Sequence, residues 1–329
     1  MKLVIQIPCF NEQETLPVTL AALPREIPGI DKIEWLIIDD GSSDRTVDVA
    51  REHGVDHVVS LSRNRGLATA FTTGLEASLS AGADIIVNTD ADNQYNAEDI
   101  SELVKPILAG KAEIVVGERP ITETRHFSAT KKLLQRLGSW VVRKASGTDI
   151  PDAPSGFRAM SREAALQLNV FSSYTYTLET LIQAGRKNMS ITSVPVRTNP
   201  DLRPSRLLKT ISSYVWRSVA TIVRIFVIYK PFRFFILIGV TLLSLGMLIG
   251  LRFLYYFATG DGNGHVQSLI LSAVLLGIGF QTILVAFVAD LLAVNRRLLE
   301  ELRYRIRKSE LGLSADVSRT GAVSRADRS

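Results

Sequence analysis

Two long apolar runs near the C-terminus limit what this chain can fold into more than any other feature. Phe234–Phe257 is apolar for about 24 residues and is broken only by Arg252 near its far end. Val266–Val294 is a second run, with Gln281 and Asp290 as its polar exceptions. Each exceeds the roughly 20 residues that cross a bilayer as a helix. Gly246, Gly250, Gly277 and Gly279 would let the two helices approach closely. The connector Thr259-Gly260-Asp261-Gly262-Asn263-Gly264 is short and carries no Lys or Arg. Lys230 and Arg233 precede the first run, and Arg296, Arg297, Arg303 and Arg305 follow the second. The positive-inside rule then predicts a multi-pass protein of the cell membrane, with the N-terminal portion and both termini cytoplasmic and the connector outside. The rival is a buried helical hairpin of a soluble protein.

A chain of 329 residues leaves room for one large domain before those runs. Its net charge of +5 suits nucleic acid or an anionic membrane surface. The basic residues gather beside the apolar runs, which favours the bilayer over nucleic acid. The single cysteine, Cys9, excludes an intramolecular disulfide and a cysteine metal cluster. It lies in the apolar run Leu3–Phe10 and reads as a buried thiol. No charged segment leads into a long apolar one at the N-terminus, so no cleavable signal peptide is expected.

The first 120 residues alternate short apolar runs with helix-like stretches. Leu3–Ile7, Glu34–Ile38, His57–Ser60, Ile85–Asn88 and Glu113–Val116 read as buried strands of a mostly parallel sheet. Glu14–Leu23, Thr46–His53, Leu67–Ala81 and Ala97–Ala109 read as the helices that cover it. Ser43 or Asp44 is a candidate N-cap for the second helix, and Gly54 a candidate stop. This βαβα order predicts an α/β, Rossmann-like doubly wound sheet that binds its ligand at the carboxyl ends of the strands. A polar loop at Thr122–His126 and a basic helix from about Lys131 to Lys144 interrupt the alternation, which resumes weakly through Val194-Pro195-Val196. From Ser205, the residues Leu207, Leu208, Ile211, Val215, Val219, Ile222 and Phe226 recur at helical spacing among Arg206, Lys209, Arg217 and Arg224. Such a helix lies in the headgroup layer or packs as an ordinary surface helix. The expected division is therefore a domain over 1–204, a juxtamembrane amphipathic helix over 205–231, two transmembrane helices within 232–295, and a tail over 296–329 that is first basic, then disordered.

Three acidic features follow successive strands: Glu12, then Asp39-Asp40-Gly41-Ser42-Ser43-Asp44, then Asp90-Ala91-Asp92. In a parallel sheet they meet at one edge. A diphosphate-bearing ligand needs a divalent cation, and hard oxygen ligands suit Mg2+ or Mn2+. Two carboxylates spaced i and i+2, Asp90 and Asp92, can hold such an ion without filling its shell.

The motifs Pro8-Cys9-Phe10-Asn11-Glu12, Ile38-Asp39-Asp40-Gly41-Ser42-Ser43-Asp44, Arg63-Asn64-Arg65-Gly66, Thr89-Asp90-Ala91-Asp92-Asn93-Gln94, Val116-Gly117-Glu118-Arg119 and Ser155-Gly156-Phe157-Arg158 resemble, in order, those of family 2 glycosyltransferases. Within that family the chain is most similar to the polyprenyl-phosphate glycosyltransferase and dolichol-phosphate mannose synthase branch, including members with a C-terminal membrane hairpin. The resemblance implies a GT-A fold and an inverting single displacement from a metal-bound nucleotide sugar. It further implies that Pro8, Phe10, Glu12, Asp39 and Asp40 line the nucleoside pocket, and that Asp90, Ala91, Asp92 and Gln94 meet the donor, with Asp90 and Asp92 on the metal. Arg119 would meet donor or acceptor phosphate, and Asp152 falls where the family has an acidic residue near the acceptor. Lys131, Lys132 and Arg136 are candidates for the lipid phosphate.

The chain also departs from the family. Arg203-Pro204-Ser205-Arg206 stands where an Arg followed by a Gly-x-Ser-Lys segment is common, and Arg206, in place of Lys, would be the candidate to bind a phosphate bidentately. Phe10 replaces a common Tyr, and the Gln-x-x-Arg-Trp motif of processive relatives is absent. A phosphate acceptor agrees with the residue chemistry. Its monoester is largely dianionic at neutral pH and needs no general base, unlike a sugar hydroxyl. No histidine is strategically placed, and Asp152 reads as an orienting group first and a base second. The expected partners are a nucleotide sugar, a polyprenyl phosphate and the bilayer, with homo-oligomers open. Rival readings are transfer to a hydroxyl acceptor, an inactive scaffold of the same fold, and a nucleotide-binding regulator.

Overall fold

The computed structural model describes residues 1–120, 147–170, 176–200, 229–260 and 262–312, with Arg143, Val223, Arg224 and Val227 in addition. They belong to two compact units, Met1–Ser218 with Glu301–Ser329, and Val219–Glu300.

The first unit is built on strands β1 (Lys2–Cys9), β2 (Lys32–Asp39), β3 (His57–Ser60), β4 (Ile85–Asn88), β5 (Ile114–Glu118), β6 (Arg158–Ser161) and β7 (Ile191–Pro195). Its helices are α1 (Leu16–Ala22), α2 (Thr46–Glu52), α3 (Leu67–Ser80), α4 (Ile100–Leu108), α5 (Arg162–Gln167) and α6 (Thr177–Arg186). The strands form one sheet in the order β3-β2-β1-β4-β6-β5-β7. Seven of the eight β1 residues are buried, as are seven of the eight in β2, so both faces of the central strands are covered. Leu3, Ile5, Ile7, Ile37, Val87 and Val115 share one core cluster with Leu16 and Leu20 of α1 and Leu103 of α4. Arg45, not Ser43 or Asp44, stands at the N-cap of α2; Asp44, one residue earlier, still accepts the Thr46 N–H at Oδ1 at 3.0 Å, and Gly54 follows the helix with φ +69°.

One strand was not legible in the sequence. β6 lies antiparallel between β4 and β5, pairing Asn88 with Arg158 on one side and Val116 with Arg158 on the other. The other pairings among the described strands are parallel. The reversal has a direct consequence. The residues that precede β6 stand at the same sheet edge as the residues that follow β1, β2, β4 and β5.

That edge also contains a gap. Gln6 O accepts from Thr89 N–H and Cys9 O from Asp40 N–H, so residue 8 turns its backbone towards β4, which has already ended at Asn88. Pro8 has no N–H to offer there, and none is needed. β1 and β4 part company where the strand order reverses, the usual site of a ligand crevice in open α/β sheets.

The second unit holds α7 (Pro231–Ala258), and α8 (Val266–Glu310) passes through it and ends in the first unit. Both are long and apolar enough to cross a membrane, and only 11% and 17% of their most apolar windows are buried. That outward exposure is the reverse of what core helices of a soluble domain would give. Gly239 and Gly279 bring the backbones together, since a Cβ at Gly239 would lie 2.7 Å from Ile283 Cγ1 and one at Gly279 would lie 2.9 Å from Leu243 N. Ser272 Oγ donates to Gly246 O at 2.8 Å, and Phe232 meets Phe287 edge to face. Gly250 also lies at the seam, beside Ser272, but Gly277 has open space where the sequence suggests contact. The amphipathic segment expected over 205–231 lies mostly outside the described residues, as do the loop at 122–126 and the basic stretch at 131–142.

Candidate active site

The loops after β1 and β2 are joined to one another. Asn11, at φ +56°, donates its N–H to Ser42 Oγ at 2.8 Å and accepts from the Ser43 N–H at 2.8 Å. Glu12 is buried, donates its N–H to Thr46 Oγ1 and accepts at Oε2 from Thr15 Oγ1 at 2.6 Å. Asp39 Oδ1 caps the next turn through the Ser42 N–H at 3.1 Å. Asp40 spans to the loop after β3, accepting from the Arg65 N–H at 2.7 Å with one oxygen and from the Gly66 N–H at 2.8 Å with the other. Both of its oxygens therefore hold loop backbone, which makes Asp40 a wall of this edge. Gly41 has φ +74°, and a Cβ there would lie 2.6 Å from the Arg63 carbonyl carbon. Phe10, at 40% exposure, keeps its ring at the surface of this edge.

After β4 the chain makes a tight acidic turn. Asp92 Oδ1 accepts from the Gln94 N–H at 3.2 Å, and Asn93 adopts φ +56°, a conformation that asparagine tolerates. Ala91 is buried, and its carbonyl accepts from Thr19 Oγ1 of α1 at 2.9 Å. From the far side, Asn199 Nδ2 donates to Asn93 O at 2.9 Å and its N–H to Gln94 O at 2.9 Å. Arg197 holds Asp99 just beyond, with Nε–Oδ1 at 3.0 Å. The turn is thus clamped from α1 and from the segment that leaves β7.

The electrostatics single out Asp90. Burial pushes its pKa up to about 7; Asp92 and Glu12 add to the rise, and the Arg119 guanidinium opposes it. A carboxyl held out of water beside two other acids is poised for a cation. Among the described residues, no three His, Cys, Asp or Glu side chains converge as a metal cluster. Asp90 and Asp92 alone would leave most of an octahedral shell open, which fits an ion shared with diphosphate oxygens.

Arg119 follows β5 and meets Asp152 from the segment before β6. Its Nε lies 2.7 Å from Oδ2 and its Nη2 3.0 Å from Oδ1, while its own backbone N–H reaches Oδ2 at 3.3 Å. Asp152 is fully buried, whereas the Arg119 side chain keeps 21% exposure. Burial by itself would lower the Arg119 pKa, but Tyr95, Asp152 and Asp90 push it upward, so its charge is fixed.

The sequence reading missed the polar platform beneath these groups. Asn88 Nδ2 donates to Gly156 O and to Tyr176 Oη, each at 2.9 Å, and Asn88 Oδ1 accepts from Gln6 Nε2. Tyr176 stacks on Phe71 at 3.8 Å, and Tyr95 on Phe157 at 4.8 Å. Arg158 is 1% exposed and donates to the carbonyls of Ser155, Ala153 and Thr177 and to Thr180 Oγ1. Burial lowers its pKa to about 10, and with main-chain oxygens as partners it pins the 152–156 loop. Gly156 is squeezed between platform and acid, since a Cβ would lie 2.9 Å from Tyr176 Oη and 3.3 Å from Asp90 Oδ1. A signal was present in the sequence: Asn88 is the one polar residue of an otherwise apolar strand.

The structure therefore brings Pro8, Phe10, Glu12, Asp39, Asp40, Asp90, Ala91, Asp92, Gln94, Arg119 and Asp152 to one edge of the sheet. Lys131, Lys132, Arg136 and Arg206 lie outside the described residues. His57 stands at the opposite edge, 2.7 Å from Glu34.

A mostly parallel sheet with an acidic pair and an arginine at its carboxyl edge is the architecture of the GT-A fold of glycosyltransferases. The model for Glycosyl transferase family 2 matches residues 4–168, and the chain belongs to that family. Among its relatives, an undecaprenyl-phosphate mannosyltransferase of Micrococcus luteus is 28% identical over 206 residues, covering 60% of this chain and 83% of the relative. A UDP-N-acetylglucosamine–dolichyl-phosphate N-acetylglucosaminyltransferase of Methanococcus voltae is 30% identical, covering 58% and 83%. The crystal structure of glucosyl-3-phosphoglycerate synthase from Mycobacterium tuberculosis with Mn2+, UDP and phosphoglyceric acid superposes with a TM-score of 0.52 at 22% identity, covering 67% of this chain and 78% of that one. At that identity the likeness speaks to the fold.

Proposed function

We propose that the protein transfers a sugar, with inversion, from a UDP- or GDP-sugar to a polyprenyl phosphate at the cytoplasmic membrane face. The observation that carries this reading is the Arg119 guanidinium held beside the Asp90–Asp92 turn, in a chain with two helices suited to a bilayer. The activities for which the Micrococcus and Methanococcus relatives are named support a lipid-phosphate acceptor. Asp90 and Asp92 would hold Mg2+ or Mn2+, which offsets the diphosphate charge as it leaves. Glu12, Asp39 and the wall built by Asp40 would receive the nucleoside, with Pro8 and Phe10 beside it. Ala91 and Gln94 would border the donor.

Arg119 would bind phosphate in the transition state and Lys131 and Arg206 would engage the acceptor phosphate, while the bilayer presents the lipid. A dianionic acceptor attacks without losing a proton, so positioning and charge stabilisation supply most of the rate. The deciding experiment incubates purified protein with polyprenyl phosphate, UDP- and GDP-sugars, and Mg2+ or Mn2+. A product whose sugar is released by mild acid supports the phosphodiester reading. Transfer only to a glycan or glycolipid hydroxyl would replace it, and no turnover of any donor would favour a scaffold.

A further inference from the structure

We propose that Asp152 is a positioning residue, paired through both carboxylate oxygens with Arg119 and shut away from solvent, and that it accepts no proton from the acceptor. The proposal deepens the functional reading above and rests on it for the identity of the acceptor. A general base needs a lone pair within reach of the group it deprotonates. Here Oδ1 accepts from Arg119 Nη2 at 3.0 Å, and Oδ2 accepts from Arg119 Nε at 2.7 Å and from the Arg119 N–H at 3.3 Å. The residue is fully buried. A fork-to-fork pair of this kind fixes the guanidinium plane as well as its place.

The loop around it is anchored for that task. Arg158 binds the carbonyls of Ala153 and Ser155 on the C-terminal side, and the Ser155 N–H donates to Asp152 O at 3.2 Å. Asp152 therefore stands on an anchored loop while Arg119 directly follows β5, so the pair joins two segments across the active edge. Of the five N–H donors of a guanidinium, the described residues use Nε and one on Nη2, and three remain beyond those two bonds to meet a phosphate. Asp90 lies close enough to act on the charge of Arg119, so the metal turn and the phosphate ligand share one field.

A double-mutant cycle separates the roles. Arg119→Ala should lower turnover about 10- to 150-fold, and Asp152→Asn should lower it by a smaller factor with an unchanged pH profile. The double variant should fall no more than about twofold below Arg119→Ala, because there is nothing left for Asp152 to position. If Asp152→Asn instead multiplied the loss in the Arg119→Ala background, or removed a limb of the pH profile, the proposal would be overturned. Melting temperatures of the same four proteins provide an activity-independent cycle. Strong coupling there is expected whatever the acceptor is, and additive shifts would also overturn the pairing. Failure of the wild-type protein to glycosylate polyprenyl phosphate would sink the acceptor assignment while the melting cycle still decides the role of Asp152.

Discussion

Single residues at the carboxyl edge work under tight spatial limits, and these give the sharpest predictions. Gly156→Ala places a methyl group 2.9 Å from Tyr176 Oη and 3.3 Å from Asp90 Oδ1. Tyr176 is stacked and fully buried, so the strain should fall on Asp90. Transfer should drop at least about tenfold with only about 1–3 kcal/mol of destabilisation, and calorimetric titration with Mn2+ and nucleotide sugar should show weakened binding. Asp92→Ala should abolish transfer and weaken metal-dependent donor binding; undiminished turnover in chelator-treated buffer would remove Asp90 and Asp92 as metal ligands.

At the opposite edge, Glu34 is buried among Lys2, Lys32 and His57, each at 2.7 Å. Burial alone would raise its pKa, but the hydrogen bonds from those groups outweigh it and hold it at about 2. The folded pKa is below the unfolded one. The stabilisation is therefore complete above about pH 4.5 and is lost as pH falls through 2. Glu34→Gln should lower stability at neutral pH by about 1–3 kcal/mol and flatten the acid limb of a melting curve measured between pH 7 and 3.

At the level of elements, the reversed strand β6 and the segment after β7 decide the geometry of the site. Asn199 ties the 93–95 turn with Nδ2 contacts to Asn93 O and Tyr95 O. Asn199→Ala leaves Asp90 and Asp92 in place but frees the turn between them and α4. Metal and donor affinity should fall severalfold while circular dichroism stays unchanged; a variant that binds as tightly as wild type would show that α1, through Thr19 and Ala91, holds the turn by itself. Alternation of apolar runs and caps made β1 to β5 and α1 to α4 legible, because each is stabilised by its own periodicity and by a sheet buried on both faces. β6 escaped because its four residues, Arg-Ala-Met-Ser, carry neither alternation nor a β-branched side chain. It is a strand only because β4 and β5 leave a gap between them. Helix α8 likewise outruns its apolar segment and continues to Glu310, where Tyr304 bonds Glu163 and Arg307 the Leu168 carbonyl within the first unit. Long-range partners of that kind leave no mark in hydropathy.

For the whole molecule, the testable claim is orientation. With Cys9 replaced, a cysteine at Asn263 should react with an impermeant thiol reagent applied to intact cells. Labelling only after lysis would reverse the proposed topology.

Composition and order alone determined the two apolar helices, the parallel α/β core and the motifs that fall at strand ends, since each depends on local spacing or on the direction of a parallel strand. The acidic residues and the arginine proposed for the site are named from the sequence and share one edge, because strand ends converge wherever strands run the same way. Which groups remain available to a ligand was decided only in three dimensions. Asp40 is spent on the backbone of Arg65 and Gly66, Asp152 on Arg119, and Asn88, Tyr176 and Arg158 form a platform from three distant segments. The physical reason is that a buried polar group must find partners wherever the fold supplies them. For Asp152, Asn88 and Arg158 those partners are set by the antiparallel insertion of β6, which local periodicity does not encode.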